Sequence, residues 1–483
     1  MTTKDLLSRI SGNVKIARDY EISSLCYDSR DCILHSAFFC FKGTRTDGNL
    51  FIRKAIQNGA RCIITDQEIR EELPDDVSYA VTRENTRRCY AIASGAFFQN
   101  PARSMKVIGV TGTDGKSSTS YFIYQLLLAL GHRCGLSSTV SVDNGSGLRN
   151  APWRQSTPEA FLLHSFLKQA KDNRCEYMVI EATSHALSTE YDRLAGIHFD
   201  TSCITRISSE HLDFHRTLKN YVSSKLRLFR NTKNSAFVYE NHEQIAAIRK
   251  SFGDWPHYLT LPEVVETSSS GLVFNYNGRN YTLPFFHTYM LENAFEAAAV
   301  VSSVLSCPLE DILPHLASLK GVEGRDEIVP NTIGRNLVID FAHTPDSVSR
   351  LLSDYRRIFP EGNFITLFGA AGKRDTSKRA GLGLEAARCS SVLVITEEDN
   401  RDEPFEKISN DILSGIPESK KEQLDILLVP VREDAIRKAI EVSRPGDTVF
   451  FLGKGHEHSI EAKKERKYSE RRALEKVLRT LSR

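Results

Sequence analysis

Apolar and polar positions along the chain follow two rhythms. Short apolar runs of strand length alternate with longer stretches of helical spacing, and that alternation predicts an α/β architecture. AFFCF (37–41) and RCIIT (61–65) read as strands, with IRKAIQNG (52–59) as the helix between them, stopped at Gly59. From residue 105 the strand–helix alternation becomes regular. KVIGV, EYMVIEA (176–182) and SCITRI (202–207) are apolar runs, and the helical pattern after the first ends at Gly131. This order predicts a largely parallel sheet with ligands at the carboxyl ends of its strands. Between 233 and 285 the pattern turns β-rich (SAFVYE, GLVFNYNGRNYTL), which predicts a smaller sheet beside the main one. A glycine-rich boundary follows near 320–335. Beyond it NLVIDFAH, NFITLFGAAG, SVLVITEED and DTVFFLGKG each end in a polar loop bearing glycine, histidine or acidic residues.

Composition narrows the class. At 483 residues the chain exceeds the ~250–300 residues at which single cores stop growing, so two to four domains are expected. It is 41% apolar and 26% charged, as soluble enzymes are, and its net charge of +2 gives no global pull toward nucleic acid or a membrane surface. No apolar run approaches bilayer length, and MTTKDLLSRISGNVKIARDY lacks a signal-peptide core, so a cytoplasmic protein is expected. The ten cysteines form no CxxC pair and sit in apolar settings such as FFCF (Cys40) and ARCIIT (Cys62). They read as core thiols of a reducing compartment.

One segment carries chemistry by itself. TGTDGKSS (111–118) ends a strand and opens a helix. A glycine turn before a helix aims backbone N–H groups and the positive helix end at phosphates. Gly112, Thr113, Asp114, Gly115, Lys116, Ser117 and Ser118 are therefore expected to bind ATP, with Lys116 reaching the terminal phosphates and the Ser117 hydroxyl available to Mg²⁺. The common form of this loop has four residues between its first glycine and the Gly-Lys pair; here Gly112 and Gly115 are separated by two.

The shortened loop resembles the GT-x-GK-T/S loop of the Mur ligases, and further segments of that family occur in the same order. They are EATSHAL (181–187), SSEHLDFHRTLKNYVSSKLRLF (208–229), GVEGRDE (321–327), VIDFAHTPDSV (338–348), LFGAAGKRDTSKR (367–379) and FLGKGHE (451–457). YDSR (27–30) with GTRTDGNLFIRKAIQNGA (43–60) resembles the family's uridine-nucleotide domain, so the likeness spans nearly the whole chain. It implies three domains: a UDP-substrate α/β domain at 1–100, a central P-loop ATPase with a mostly parallel sheet at 101–325, and a Rossmann-like domain at 326–483. The implied reaction is that of the branch adding the third residue of the peptidoglycan stem. ATP activates a carboxylate of UDP-N-acetylmuramoyl-L-alanyl-D-glutamate as an acyl phosphate, and the amine of a diamino acid displaces phosphate.

The resemblance also implies roles. Lys116 and His343 supply cations where negative charge builds. Glu181 and His211 bind a second Mg²⁺, and Lys225, carbamylated by CO₂, helps to hold metal. Asn293, Arg325 and Arg379 contact ATP, although a usual partner asparagine is replaced by Met290. Ser29, Thr46, Asp47, Gly48, Ser156, Thr157, Thr183 and Arg193 bind the UDP substrate; Arg193 stands about two residues farther from Glu181 than the family spacing. Arg374 takes the α-carboxylate of the amino acid, and Asp399, Asn400, Arg401, Gly453 and Glu457 surround its far end. In TEEDNRDEP (396–404) the proline of the family's D-N-P-R is missing, and Glu397, Glu398, Asp399, Asp402 and Glu403 outnumber Arg401. That field favours lysine or ornithine slightly over diaminopimelate. Small-molecule substrates, no nucleic acid, no membrane and a monomer are expected. A folylpolyglutamate-synthetase-like ligase shares the central chemistry but lacks a UDP-substrate domain, and a P-loop kinase leaves GKGHE, FAHTPD and the Lys225 segment without a purpose.

Overall fold

The computed structural model describes residues 1–43, 46–70, 72–153, 155–373 and 375–481. The chain divides into two compact units. One comprises Met1–Ser209, Leu218–Leu261 and Phe295–Ile312; the other comprises Glu210–Thr217, Pro262–Ala294 and the residues from Leu313 onward.

The first unit holds two sheets. A five-stranded sheet runs in the order Gly12–Lys15, Ser78–Thr82, Ala60–Thr65, Ser36–Phe39, Leu25–Cys26 and is parallel except at its first pair. An eight-stranded sheet runs His257–Leu259, Thr232–Tyr239, Phe199–Ile204, Lys106–Thr111, Tyr177–Glu181, Cys134–Ser137, Ser141–Asp143, Arg149–Asn150, with only the last two strands antiparallel to their neighbours. Val107, Ile108, Val110, Met178, Val179 and Ile180 are all fully buried, which accounts for apolar runs without alternation: both faces of these strands are covered. Lys106–Thr111 lies between Tyr177–Glu181 and Phe199–Ile204, where the order of strands reverses, so the loop after it opens at the switch point of the sheet.

The SAFVYE segment departs from expectation. Thr232–Tyr239 pairs in parallel with Phe199–Ile204 and belongs to the large sheet. The smaller sheet is the antiparallel set Glu263–Ser268, Gly271–Tyr276, Arg279–Leu283 of the second unit. Burial explains the difference. Ser235–Tyr239 is buried throughout, whereas the later strands bury only scattered positions and leave the rest partly or fully exposed.

The second unit is built on a six-stranded sheet in the order Glu327–Ile328, Asn336–Asp340, Thr448–Leu452, Phe364–Phe368, Val392–Ile395, Asp425–Leu428. It is parallel apart from its first strand. Successive residues serve opposite cores. Val338, Phe364, Phe450 and Leu452 pack with Val348, Leu352, Leu382 and Ile412, whereas Leu337, Ile339, Ile365 and Phe451 pack with Ile436, Ile440 and Leu474. The helix Pro345–Ile358 starts where FAHTPD dictates. Thr344 accepts from Ser347 N in a capping box, with proline at the first helical position. No single helix among the described residues is long and apolar enough to cross a membrane.

Candidate active site

In the first unit the strand Lys106–Thr111 feeds the helix Lys116–Ala129 through four residues. Gly115 takes φ +86° at the helix start. A Cβ on Gly112 would stand 1.8 Å from Thr205 Oγ1, so only glycine fits there. The loop is pinned from outside. Thr113 N donates to Arg206 O (2.6 Å), Thr113 Oγ1 donates to Ser208 O (3.1 Å) and lies 2.8 Å from the Tyr221 hydroxyl, and Thr205 Oγ1 donates to Asp114 O (2.6 Å). These anchors hold the turn without the two extra residues of the common form. Lys116 folds back to Thr113 O (2.6 Å), and Ser118 is buried.

Glu181 ends the neighbouring strand and is 1% exposed. Its carboxylate accepts from Ser117 Oγ (3.0 Å), Thr139 N (3.0 Å) and Thr139 Oγ1 (2.8 Å). Those donors offset the cost of burying the charge. Hydroxyl and carboxylate oxygens beside a phosphate cradle are a donor set that suits Mg²⁺. Thr139 was not singled out in the sequence; its only signal is the polar turn SSTVS at the mouth of the sheet. Lys225 lies on the helix Leu218–Arg230, one turn beyond Tyr221, and is also 1% exposed. Its Nζ donates to the Gly112 carbonyl and stands 4.4 Å from the Tyr221 ring centroid. The structure thus gathers Lys116, Ser117, Glu181 and Lys225 around one loop. His211 belongs to the second unit, where it takes φ +53° before the short helix Leu212–His215 with its Nε2 3.6 Å from Glu210 Oε2.

The residues expected to hold the UDP substrate lie in the first unit as well. Ser29 is buried in the turn after Leu25–Cys26, its carbonyl accepting from Asn58 Nδ2 (2.7 Å). Thr46 O accepts from Gly43 N (2.9 Å), and Asp47 caps the following turn through Asn49 N (2.9 Å) while taking Gln67 Nε2 (2.9 Å). Gly48 N donates to Phe41 O (2.8 Å), an approach that a Cβ would block. Thr157 Oγ1 donates to Glu181 O (2.7 Å) and accepts from Thr183 N (3.0 Å), which ties this region to the carboxylate strand; Ser156 beside it is half-buried. Arg193 pairs with Glu159 (2.8 Å), donates to Thr157 O (3.1 Å) and lies over Tyr191. Arg87 escaped the sequence reading. Its guanidinium sits between Phe41 (4.4 Å) and Tyr191 (4.6 Å), and burial lowers its pKa.

In the second unit, His343 Nδ1 is 2.9 Å from Phe341 O and Nε2 is 3.4 Å from Glu210 Oε1. Burial alone would lower the His343 pKa, but Glu210 outweighs it and the net shift is upward. Arg325 lies over the Phe341 ring (4.2 Å). Next to it, Asp326 N donates to Asp340 Oδ2 (2.6 Å), and burial raises the Asp340 carboxyl to about 6. Asn293 and Met290 are both buried on the helix Thr288–Leu305, so an apolar side chain fills the usual asparagine position. Arg379 is fully buried, bidentate to Glu403 (2.8 and 2.9 Å), and bonded to Asp411 (2.7 Å) and Ala371 O (3.0 Å). Arg374 falls outside the described residues.

Of the residues assigned to the amino acid, Asp399, Arg401 and Glu457 are linked through shared ion pairs. Asp399 Oδ1 accepts from the fully buried Lys454 (2.9 Å) and from Glu461 N (2.9 Å), and Lys454 also pairs with Glu457. Burial raises the Glu457 pKa against the pull of Lys454. Arg401 is engaged at each guanidinium nitrogen, by Glu461 (2.6 Å), Gly372 O (3.3 Å) and Asp399 (3.4 Å). Gly453 takes φ +96°, and a Cβ there would stand 2.6 Å from Glu398 Oε2.

Comparison with known proteins accounts for this arrangement. Residues 21–108 match the model of the Mur ligase family catalytic domain, 110–301 the Mur ligase middle domain, and 324–455 the Mur ligase glutamate ligase domain. The chain is 35% identical to the UDP-N-acetylmuramyl-tripeptide synthetase of Borreliella afzelii (strain PKo), over 95% of this chain and 92% of that one. It is 30% identical to the UDP-N-acetylmuramoyl-L-alanyl-D-glutamate--2,6-diaminopimelate ligase of Clostridium botulinum (strain ATCC 19397 / Type A), over 95% and 96%. A solved UDP-N-acetylmuramoyl-L-alanyl-D-glutamate--2,6-diaminopimelate ligase shares the fold with a TM-score of 0.64 at 23% identity, covering 96% of each chain. A folylpolyglutamate synthase of Mycobacterium tuberculosis complexed with ADP reaches 0.60 at 16% identity but covers 77% of this chain. Three consecutive domain matches and relatives alike along nearly their whole length make the chain a member of the Mur ligase family, and so an ATP-dependent ligase.

Proposed function

We propose that this ligase joins a diamino acid to the D-glutamate of UDP-N-acetylmuramoyl-L-alanyl-D-glutamate, the third-residue step of peptidoglycan precursor synthesis. In this reading residues 1–100 take the uridine nucleotide, 101–325 carry out ATP-driven ligation, and 326–483 bring the amino acid. The protein acts as a cytoplasmic monomer. The observation that carries the reading is the buried contact between Ser117, at the mouth of the pinned nucleotide loop, and Glu181, whose own backbone is bonded to Thr157 of the acceptor region.

A carboxylate is too poor an electrophile for an amine. One of its oxygens therefore attacks the γ-phosphorus of ATP and ADP leaves; the amine then attacks the acyl carbon, and phosphate departs with that oxygen. Lys116 neutralises the transferring phosphoryl group, and His343, with its raised pKa, adds a second cation. Bound Mg²⁺, held by Ser117 and Glu181 and, following the family resemblance, by His211 and carbamylated Lys225, would supply further charge neutralisation there. Lys225 is buried beneath Gly112, a place where exchanging an ammonium for a carbamate reverses the local charge.

The test is ADP release in the presence of acceptor, amino acid, both or neither, with products weighed. The reading expects ADP, free phosphate and a UDP-linked tripeptide only with both. Phosphate retained on a product would indicate a kinase, and ADP release indifferent to the acceptor would overturn the reading.

A further inference from the structure

Two thiols face each other inside the first unit. Cys26 Sγ and Cys32 Sγ stand 2.7 Å apart, both buried in one apolar cluster with Phe38, Ile52 and Ile63. A disulfide is about 2.05 Å long, so the two sulfurs are about 0.7 Å from bonding distance. Backbone holds both ends. Cys26 closes the strand Leu25–Cys26, where it pairs in register with Phe38. Cys32 follows the turn Ser29–Asp31, and the next residue, Ile33, donates from its N to Ser36 Oγ (2.9 Å). The contacts of Cys26 with Ala37 O (3.6 Å) and of Cys32 with Asp28 O (3.8 Å) are longer than the contact between the sulfurs.

The pair encloses a short ring, Cys-Tyr-Asp-Ser-Arg-Asp-Cys, whose middle residue is Ser29. The turn inside the ring is already set: Arg30 N donates to Asp28 Oδ1 (2.9 Å), and Ser29 O accepts from Asn58 Nδ2 (2.7 Å). A bond between the sulfurs therefore locks this turn instead of reshaping it. The hydrogen bond with Cys32, and then burial, raise the Cys26 pKa, so Cys26 keeps its proton until its neighbour is oxidised. Cys32 stands between two exposed residues, Asp31 and Ile33, whereas Cys26 follows the buried Leu25; a water-sized oxidant meets Cys32 first. Among the described residues no three His, Cys, Asp or Glu side chains gather as metal ligands, so the chemistry available to the pair is that of two thiols.

We propose that Cys26 and Cys32 are a modification site, a dithiol that hydrogen peroxide converts into a reversible disulfide across the Ser29 turn. The Cys32 sulfur takes one peroxide oxygen: the O–O bond breaks, an S–O bond forms, and the Cys32 proton leaves with the other oxygen as water. The Cys26 sulfur then attacks Cys32; the S–S bond forms, the S–O bond breaks, and hydroxide departs with the Cys26 proton as a second water. The dithiol loses two electrons, and the peroxide is reduced to water. In a reducing compartment a disulfide of this kind is transient. It is also protective, because it stops Cys32 at a state that other thiols reverse, short of the irreversible sulfinic acid.

The experiment treats wild type and Cys26→Ala with hydrogen peroxide, alkylates the remaining thiols after denaturation, and weighs the tryptic peptides. In wild type, peptides 19–30 and 31–42 should be joined, two hydrogens lighter than their sum, with fragmentation placing the bond at Cys32 and not at Cys40. Dithiothreitol should release them. The melting temperature of the oxidised wild type should hold or rise, because the ring restrains the unfolded chain. In Cys26→Ala, which lacks the partner sulfur, Cys32 should gain two oxygens that dithiothreitol does not remove. Wild-type cysteines that are both alkylated or separately oxidised, a bond to Cys40, or a lower melting temperature would overturn the proposal. So would sulfinic acid at Cys32 in equal amount with and without Cys26. These readouts need no substrate, so their failure is distinct from failure of the ligase reading. With the UDP acceptor, oxidised wild type should keep its turnover while oxidised Cys26→Ala, with an anion buried beside the Ser29 turn, loses about 10-fold; equal losses would overturn the protective role.

Discussion

The nucleotide loop and the cluster proposed for the amino acid are built by opposite means. Around Gly112–Ser117 the protein uses backbone, small side chains and few charges, and the loop is held by hydrogen bonds to Arg206, Ser208 and Thr205. Around Asp399 and Lys454 nearly every charged group already has a partner, and the same unit contains Arg379 with Glu403 and Asp411, and Arg432 with Glu470. A phosphate chain is recognised by many weak donors that need only be aimed. A zwitterion must be recognised by opposite charges held apart, and these are stable in a dry interior only when tied to one another. Mutations in the first region should therefore remove activity with little change in stability, and removing one partner of a buried ion pair in the second should strongly destabilise its unit.

The largest effect is expected where the second region is broken. Arg432→Met leaves Glu470 charged and buried, and should cost about 3–5 kcal/mol of stability in denaturant titration. A loss under 1 kcal/mol would show that the paired charges do not carry that unit. Next, Lys116→Ala should reduce turnover about 100- to 1,000-fold with an unchanged melting temperature. Near-normal tripeptide synthesis would remove the loop from the chemistry.

Lys225 sharpens the contrast, since carbamylation would give the charge-poor region an anion. Lys225→Ala should lose about 100-fold in rate, and Lys225→Glu should recover part of it. Added bicarbonate should help wild type and leave Lys225→Glu indifferent; an unmodified lysine in a high-resolution map of active enzyme would contradict the modification.

The smallest effect concerns His287, buried between Asp326 (3.0 Å) and Asp354 (3.1 Å). Burial opposes its protonation, but the two carboxylates raise its pKa to about 9. A histidine with a raised folded pKa stabilises most below its unfolded value of about 6.5. That contribution fades as pH climbs through 9, by on the order of 2–3 kcal/mol. Unfolding free energy should fall between pH 6.5 and 9.5 in wild type, and less so in His287→Gln. Identical pH profiles for the two proteins would refute the assignment.

The same contrast explains what could be read in advance. Backbone sites are written in contiguous segments, so TGTDGKSS and EATSHAL pointed to the residues that gather around Gly112. Ion-pair networks join residues far apart in sequence: Arg379 with Glu403, Arg401 with Glu461, Arg432 with Glu470. Neither the burial of Arg379 by Glu403 and Asp411 nor the engagement of Arg401 by Glu461 is therefore written in a contiguous motif. Thr139 and Arg87 went unnoticed because one sits in an ordinary polar turn and the other depends on rings contributed by residues 41 and 191. SAFVYE was grouped with its sequence neighbours although its unbroken apolar run, unlike theirs, fits a strand covered on both faces.

The central claim is that ATP activates a carboxylate of the acceptor, and one isotope experiment reads it directly. UDP-N-acetylmuramoyl-L-alanyl-D-glutamate labelled with ¹⁸O in the D-glutamate carboxylates is incubated with ATP, Mg²⁺ and the preferred amino acid, and the released phosphate is weighed. Transfer of one labelled oxygen to each phosphate, in step with tripeptide formation, is the predicted result. Unlabelled phosphate accompanying tripeptide, or labelled phosphate retained on a product without amide formation, would contradict it.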